Sequence, residues 1–139
     1  RVDATAMWVD LDNGYDAFSI DNSRVSLADK PGQDTQLARA GAVRLDYTGG
    51  RSFDLISRTA FGDSTSIYSF DGDWGNEQSW APFTYDYFYR ALRNRRTRSA
   101  EVRLASADSA QPGALAWLVG VYMLDLQESL DEIVELGRG

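Results

Sequence analysis

The side chains best equipped for chemistry are carboxylates, guanidiniums and indoles. Asp71-Gly-Asp-Trp-Gly-Asn-Glu77 sets acidic oxygens at alternate positions, which suits a hard cation such as calcium. An EF-hand loop would need Gly at its sixth position and Glu at its twelfth. This chain has Asn76 and Pro82 there, so a solvated loop is the better reading. Asp10-Leu-Asp-Asn-Gly14 fails similarly, with Gly14 one residue early. Asp71 with Asp73, and Asp131 with Glu132, are carboxylate pairs of the kind acid–base catalysis uses. With 21 acids, such neighbours arise by chance, and no spacing assigns them roles.

The sequence holds no cysteine and no histidine. That removes disulfides, thiolate zinc sites, cysteine nucleophiles and any Ser-His-Asp triad carried on this chain alone. Lys30 is the sole lysine, and Lys30-Pro31 does not fit a P-loop. No catalytic residue, no cofactor and no metal site is therefore expected, and the chain reads as a non-enzyme.

Arg90, Arg93, Arg95, Arg96 and Arg98 form a basic cluster. A nucleic-acid partner is not expected, because 14 basic against 21 acidic residues leave a net charge of -7. Guanidiniums also suit bidentate phosphate contact, as at lipid headgroups, and a plain solvated strand end is the other reading. Nine of the 17 aromatic residues lie between Tyr68 and Tyr89. Trp74, Trp80, Tyr85 and Tyr87 are the candidates for a ligand-facing loop. They could stack on a sugar or a siderophore, or serve as interface aromatics.

Strands must position these groups, because alternation dominates and helical spacing is scarce. In 37–47, Gly41, Val43, Leu45 and Tyr47 share one face, while Ala40, Ala42, Arg44 and Asp46 share the other. Thr48-Gly49-Gly50 then breaks the strand. In 53–69, Phe53, Leu55 and Phe61 oppose Asp54 and Arg58. Together these form a β-hairpin. A second hairpin pairs 98–107, with Ala100, Val102 and Leu104 on one side, to 114–125 through a turn at 108–113. Residues 5–11 make a further strand, with Met7, Val9 and Leu11 sharing a face. In the tail, Leu126, Leu130, Ile133 and Val134 have helical spacing, and a short helix competes there with an acidic loop.

The connections alternate between short (48–52 and 107–113) and long (12–36 and 69–97). Loops above ~12–15 residues are uncommon in compact domains. Up-and-down membrane barrels pair short turns on one side with long loops on the other. The longest apolar run, 114–124, is too short for a spanning helix but suits a tilted strand of ~9–11 residues.

Asn94-Arg-Arg-Thr-Arg-Ser-Ala-Glu-Val-Arg-Leu-Ala-Ser106, followed by Ala116-Trp-Leu-Val-Gly-Val-Tyr122, resembles the barrel of TonB-dependent outer-membrane receptors. The matching positions are Ser99, Glu101, Arg103, Leu104 and Ser106, then Trp117, Gly120 and Tyr122; Ala100 stands where Gln is frequent. Arg39-Ala-Gly-Ala-Val-Arg-Leu-Asp-Tyr47 and Phe53-Asp-Leu-Ile-Ser-Arg-Thr-Ala-Phe61 are similar to the preceding hairpin, and Tyr68-Ser-Phe-Asp-Gly-Asp-Trp74 looks like a subgroup.

The resemblance implies an all-β fold of antiparallel up-and-down strands with short turns and long loops, forming part of a transmembrane β-barrel. Residues 1–139 would be a partial barrel segment of about five strands, without the plug domain, coupling box, signal peptide or terminal aromatic residue of a whole receptor. By resemblance the parent imports a nutrient such as a ferric siderophore, cobalamin or an oligosaccharide across the outer membrane of a Gram-negative bacterium. Its partners would be outer-membrane lipid, the rest of the barrel and its plug, and the inner-membrane energy-coupling complex. Val43, Leu45, Val102 and Leu104 would face lipid, and at a barrel rim the arginine cluster would meet lipopolysaccharide phosphates. Such an open sheet is expected to be poorly soluble or self-associating in water. The alternative is a soluble β-sandwich binding module that recognises carbohydrate through its aromatic loop.

Overall fold

A computed structural model describes residues 1–14, 18–48, 52–107, 113 and 115–137. It contains five strands: β1 (Val2–Asp12), β2 (Gln33–Tyr47), β3 (Phe53–Asp71), β4 (Tyr87–Ser106) and β5 (Leu118–Leu136). They form one sheet in the order β1-β2-β3-β4-β5, an antiparallel meander without crossovers. The second sheet that a sandwich requires is not found among the described residues. The long connections are 13–32 and 72–86, shorter than the sequence suggested because β2 starts earlier, β3 runs on to Asp71 and β4 already begins at Tyr87. The turn expected at 108–113 lies, but for Gly113, outside the described residues, as do Gly49 and Gly50 of the other turn.

The tail differs from both alternatives open in the sequence, because 126–136 continues β5. Pairing with β4 decides this. The Gly137 N–H donates to the Asp86 carbonyl at 2.8 Å, and the Tyr89 hydroxyl donates to Glu132 at 2.7 Å. A neighbouring strand with unpaired main-chain groups outweighs a weak helical period.

Two compact units are distinguished. Unit 1 comprises Arg1–Trp8, Ala38–Asp63 and Arg95–Gln127. Unit 2 comprises Val9–Leu37, Ser64–Asn94 and Glu128–Gly139. Both short connections belong to unit 1 and both long loops to unit 2.

In unit 1, cross-strand contacts fix which residues share a face. Arg39 lies 4.4 Å over the Trp8 ring, and the Phe61 ring covers Gly41, leaving no room for a Cβ. The Tyr47 and Phe53 rings meet at 6.2 Å, and Arg96 Nε donates to Asp63 at 2.9 Å. Alternation then places Ala4, Ala6, Val43, Leu45, Leu55, Ala100, Val102 and Leu104 on this same face. Arg58 and Glu101, 3.8 Å apart, belong to the opposite face. So does Tyr122, which lines a shallow depression with Asp3, Thr5, Ala42 and Ser99. On β5 this leaves Val119, Val121 and Met123 on the apolar face. On β1 it reverses the expected grouping. Thr5, and with it Met7, lies on the polar side, and Trp8 extends the apolar one.

No described residue on the strands of unit 1 is buried. Among the described residues the one buried apolar side chain is Ala107, while Val121 is 72% exposed.

Candidate functional site

In unit 2, two carboxylates hold the long loops. Asp71 ends β3, and Asp73 follows it into loop 72–86. Asp71 Oδ2 accepts the main-chain N–H groups of Asp29 at 3.2 Å and Lys30 at 3.5 Å, and its Oδ1 accepts that of Asp73 at 3.3 Å. Asp73 Oδ1 accepts the Gly75 N–H at 2.8 Å, and its Oδ2 accepts the Tyr87 N–H at 2.9 Å. The Asp73 carbonyl accepts the Trp80 indole N–H at 3.1 Å, and the Gly75 carbonyl accepts the Asp29 N–H at 3.0 Å. Both carboxylates are buried, with 6% and 2% exposure. Buried loop amides need acceptors, and here two acids supply them. Burial first, and then the neighbouring charge of Asp73, pushes the Asp71 carboxyl up.

The sequence made this stretch a candidate calcium loop and then a solvated one. The structure instead gives Asp71 and Asp73 a structural task, because their oxygens accept main-chain amides. Among the described residues no group of three or more acidic side chains is arranged to hold a metal ion. Gly72 is required here, since a Cβ would enter the Tyr87 ring. Trp74 is held at a φ of 58°, a left-handed conformation that bulky residues rarely adopt. The Lys30 ammonium pairs with Asp86, which raises its pKa. In the other long loop, Asp21 accepts from the Ser19 hydroxyl at 2.6 Å and the Ser23 N–H at 3.0 Å. The Ser19 and Ser23 hydrogen bonds lower its carboxyl to about 2.

Trp74, Trp80, Tyr85 and Tyr87 do not form one platform. Trp74 packs on Phe18 at 5.5 Å. Trp80 and Tyr85 meet edge-to-face at 5.7 Å. Tyr87 joins a separate group around Phe70, at 6.3 Å, with Tyr68 at 5.7 Å and Tyr89 at 5.4 Å. This four-ring surface is the largest aromatic assembly among the described residues. Of its members, only Tyr87 was a sequence candidate. The overlooked signal is aromatic spacing of two, Tyr68-x-Phe70 and Tyr87-x-Tyr89, on two strands that pair.

The arginine cluster divides as well. Alternation along β4 sends Arg96 and Arg98 to the apolar side of unit 1, and Arg95 to the polar side with Glu101 and Arg103. Adjacent positions in a strand cannot form one basic patch.

No family model, no curated protein and no solved structure matches the chain.

Proposed function

We propose that the chain is a stretch of the wall of a TonB-dependent outer-membrane receptor. The parent would import a scarce nutrient such as a ferric siderophore, cobalamin or an oligosaccharide. The observation that carries this reading is the two-faced sheet of unit 1. One side is aliphatic and small, bounded at one end by Tyr47 and Phe53 and at the other by Trp8 and Phe61. The other side carries Arg44, Arg58, Glu101 and Arg103. From Phe53 to Phe61 the strand covers roughly 27 Å, or roughly 21 Å along the membrane normal at the usual barrel tilt, which suits the ~25 Å band of outer-membrane barrels. Apolar-out and polar-in alternation is the pattern of a strand between lipid and an aqueous lumen.

Two further observations support the reading. Exposed apolar side chains run across all five strands, more than a water-soluble monomer ordinarily presents. The edge strands β1 and β5 also run in the same direction, so each lacks an antiparallel partner that neighbouring wall strands would supply. In this reading the four-ring surface of Tyr68, Phe70, Tyr87 and Tyr89 is the chain's contact with cargo. No residue does covalent chemistry.

Spin labels on single introduced cysteines test the proposal, since the chain has none of its own. In lipid vesicles, labels at Val43, Val102 and Val121 should collide with oxygen, and labels at Ala42, Ser99 and Tyr122 with a water-soluble nickel chelate. Equal access of the chelate to both sets would overturn the barrel reading. So would a soluble monomer with a sharp melting transition in the absence of detergent.

A further inference from the structure

The apolar face of unit 1 ends on a row of charges, and that row carries more than its neighbours explain. Arg39 on β2, Asp63 on β3 and Arg96 on β4 stand side by side. Arg39 is fixed by Trp8 and Arg96 by Asp63. The register that joins the Ser106 N–H to the Trp117 carbonyl at 2.9 Å places Asp125 across from Arg98, and Asp125 also acts on Arg96. Three guanidiniums and two carboxylates thus border aliphatic rows, in a chain whose net charge is -7.

We propose that this row binds the phosphate groups of anionic lipids at the membrane boundary, with Arg39, Arg96 and Arg98 as the contacts. The inference rests on the membrane reading above and names the lipid chemistry that its rim selects. The geometry favours it in three ways. Arg96 uses Nε for Asp63, which leaves both terminal NH2 groups for a second acceptor, and its side chain is 54% exposed. Arg39 lies 4.4 Å over the Trp8 ring, which holds its guanidinium at the border of the aliphatic rows. Asp63 orients Arg96, and Asp125 adds a second negative charge near it, so the repulsion within the row is already offset before a ligand arrives. Guanidinium suits phosphate because its planar fork of donors matches two oxygens. A uniformly acidic surface would repel such lipids, so any preference must come from this local excess of positive charge.

The test uses the full chain in phosphatidylcholine vesicles, with a fluorophore on Val43→Cys. A small fraction of lipid carries a nitroxide, either on phosphatidate or on phosphatidylcholine. Labelled phosphatidate should quench as though enriched about fivefold around the protein, given the attraction of an arginine near an anionic surface. Enrichment should shrink as salt is raised. It should vanish in Arg39→Gln/Arg98→Gln and persist in Arg58→Gln, which alters the opposite face. Equal quenching by the two lipids overturns the proposal, as does enrichment that survives the double substitution. Loss of enrichment on adding inorganic phosphate at constant ionic strength would make the row a site for dissolved phosphate, which also overturns it. Quenching by neither lipid would sink the membrane reading itself, and this inference with it.

Discussion

The two units are ordered by different forces. Unit 1 is a plain sheet whose strands are set by alternation and whose apolar side is not buried by any described residue. Unit 2 carries the long loops, and its order comes from acceptors placed where loop amides need them. Asp71 and Asp73 satisfy five main-chain N–H groups between them. The lesson is that a repeating pattern specifies a wall, while single residues specify a loop. Unit 1 should tolerate many substitutions that keep the alternation and should depend on its solvent. Unit 2 should be insensitive to lipid and should fail at particular atoms.

The largest effect should come from Asp73→Ala. The buried Gly75 N–H and the half-buried Tyr87 N–H would lose their acceptor, at roughly 1–3 kcal/mol each. Hydrogen exchange should show protection lost at the Gly75 and Tyr87 amides, while labels on the apolar face of unit 1 keep their access pattern. Parallel loss in unit 1 would erase the contrast between the units.

Val102→Arg should come next: if unit 1 faces lipid as proposed, a charge there costs about 2–4 kcal/mol. Ser99→Arg, on the opposite face, should be nearly neutral. Unfolding from vesicles in denaturant compares the two, and equal costs would show that the faces are not chemically distinct.

Gly72→Ala should be smaller, about 1–3 kcal/mol, because the Tyr87 ring must yield to the new methyl group. Its signature is a change in the near-ultraviolet circular dichroism of the Tyr68, Phe70, Tyr87 and Tyr89 group. An unchanged spectrum would mean that the rings do not depend on this close approach.

The smallest effects are electrostatic and separate the two long loops. Asp21 has its carboxyl lowered to about 2 from an ordinary 3.8, so its ionised form is favoured by folding. Its contribution is present above about 4 and is lost as pH falls toward about 2, which the Ser23 amide resonance would report. Asp71 is raised, so the opposite sign applies. Its ionised form is disfavoured by folding, and its contribution declines as pH rises through the folded value. Asp71→Asn should therefore flatten the pH dependence around the Asp29 and Lys30 amides. If both loops titrate with the same sign, the burial of Asp71 is not what distinguishes them.

Much of unit 1 is legible in the sequence. Val43, Leu45, Val102 and Leu104 fall on one face and Arg44, Arg58 and Glu101 on the other, because a period of two needs no knowledge of the partner strand. The hairpins follow from the same pattern with Gly-rich or Pro-Gly breaks. β1 is harder, since Met7, Val9 and Leu11 look like the apolar set. Pairing of Trp8 with Arg39 puts the small residues Ala4 and Ala6 beside the aliphatic rows instead.

The sequence by itself determined the all-β class, the five strands, and the alternation of short and long connections. It did so because backbone alternation and turn chemistry act over a few residues. The tertiary structure alone decided the rest. It made 126–136 a strand through its partner β4, split the arginines between two faces, and distributed the four aromatic candidates among three separate contacts. It also turned Asp71 and Asp73 from a candidate cation loop into acceptors for distant amides. Each of these depends on which main-chain and side-chain groups meet across tens of residues. Local composition cannot encode that, because a carboxylate answers to whichever donor the fold brings within about 3 Å.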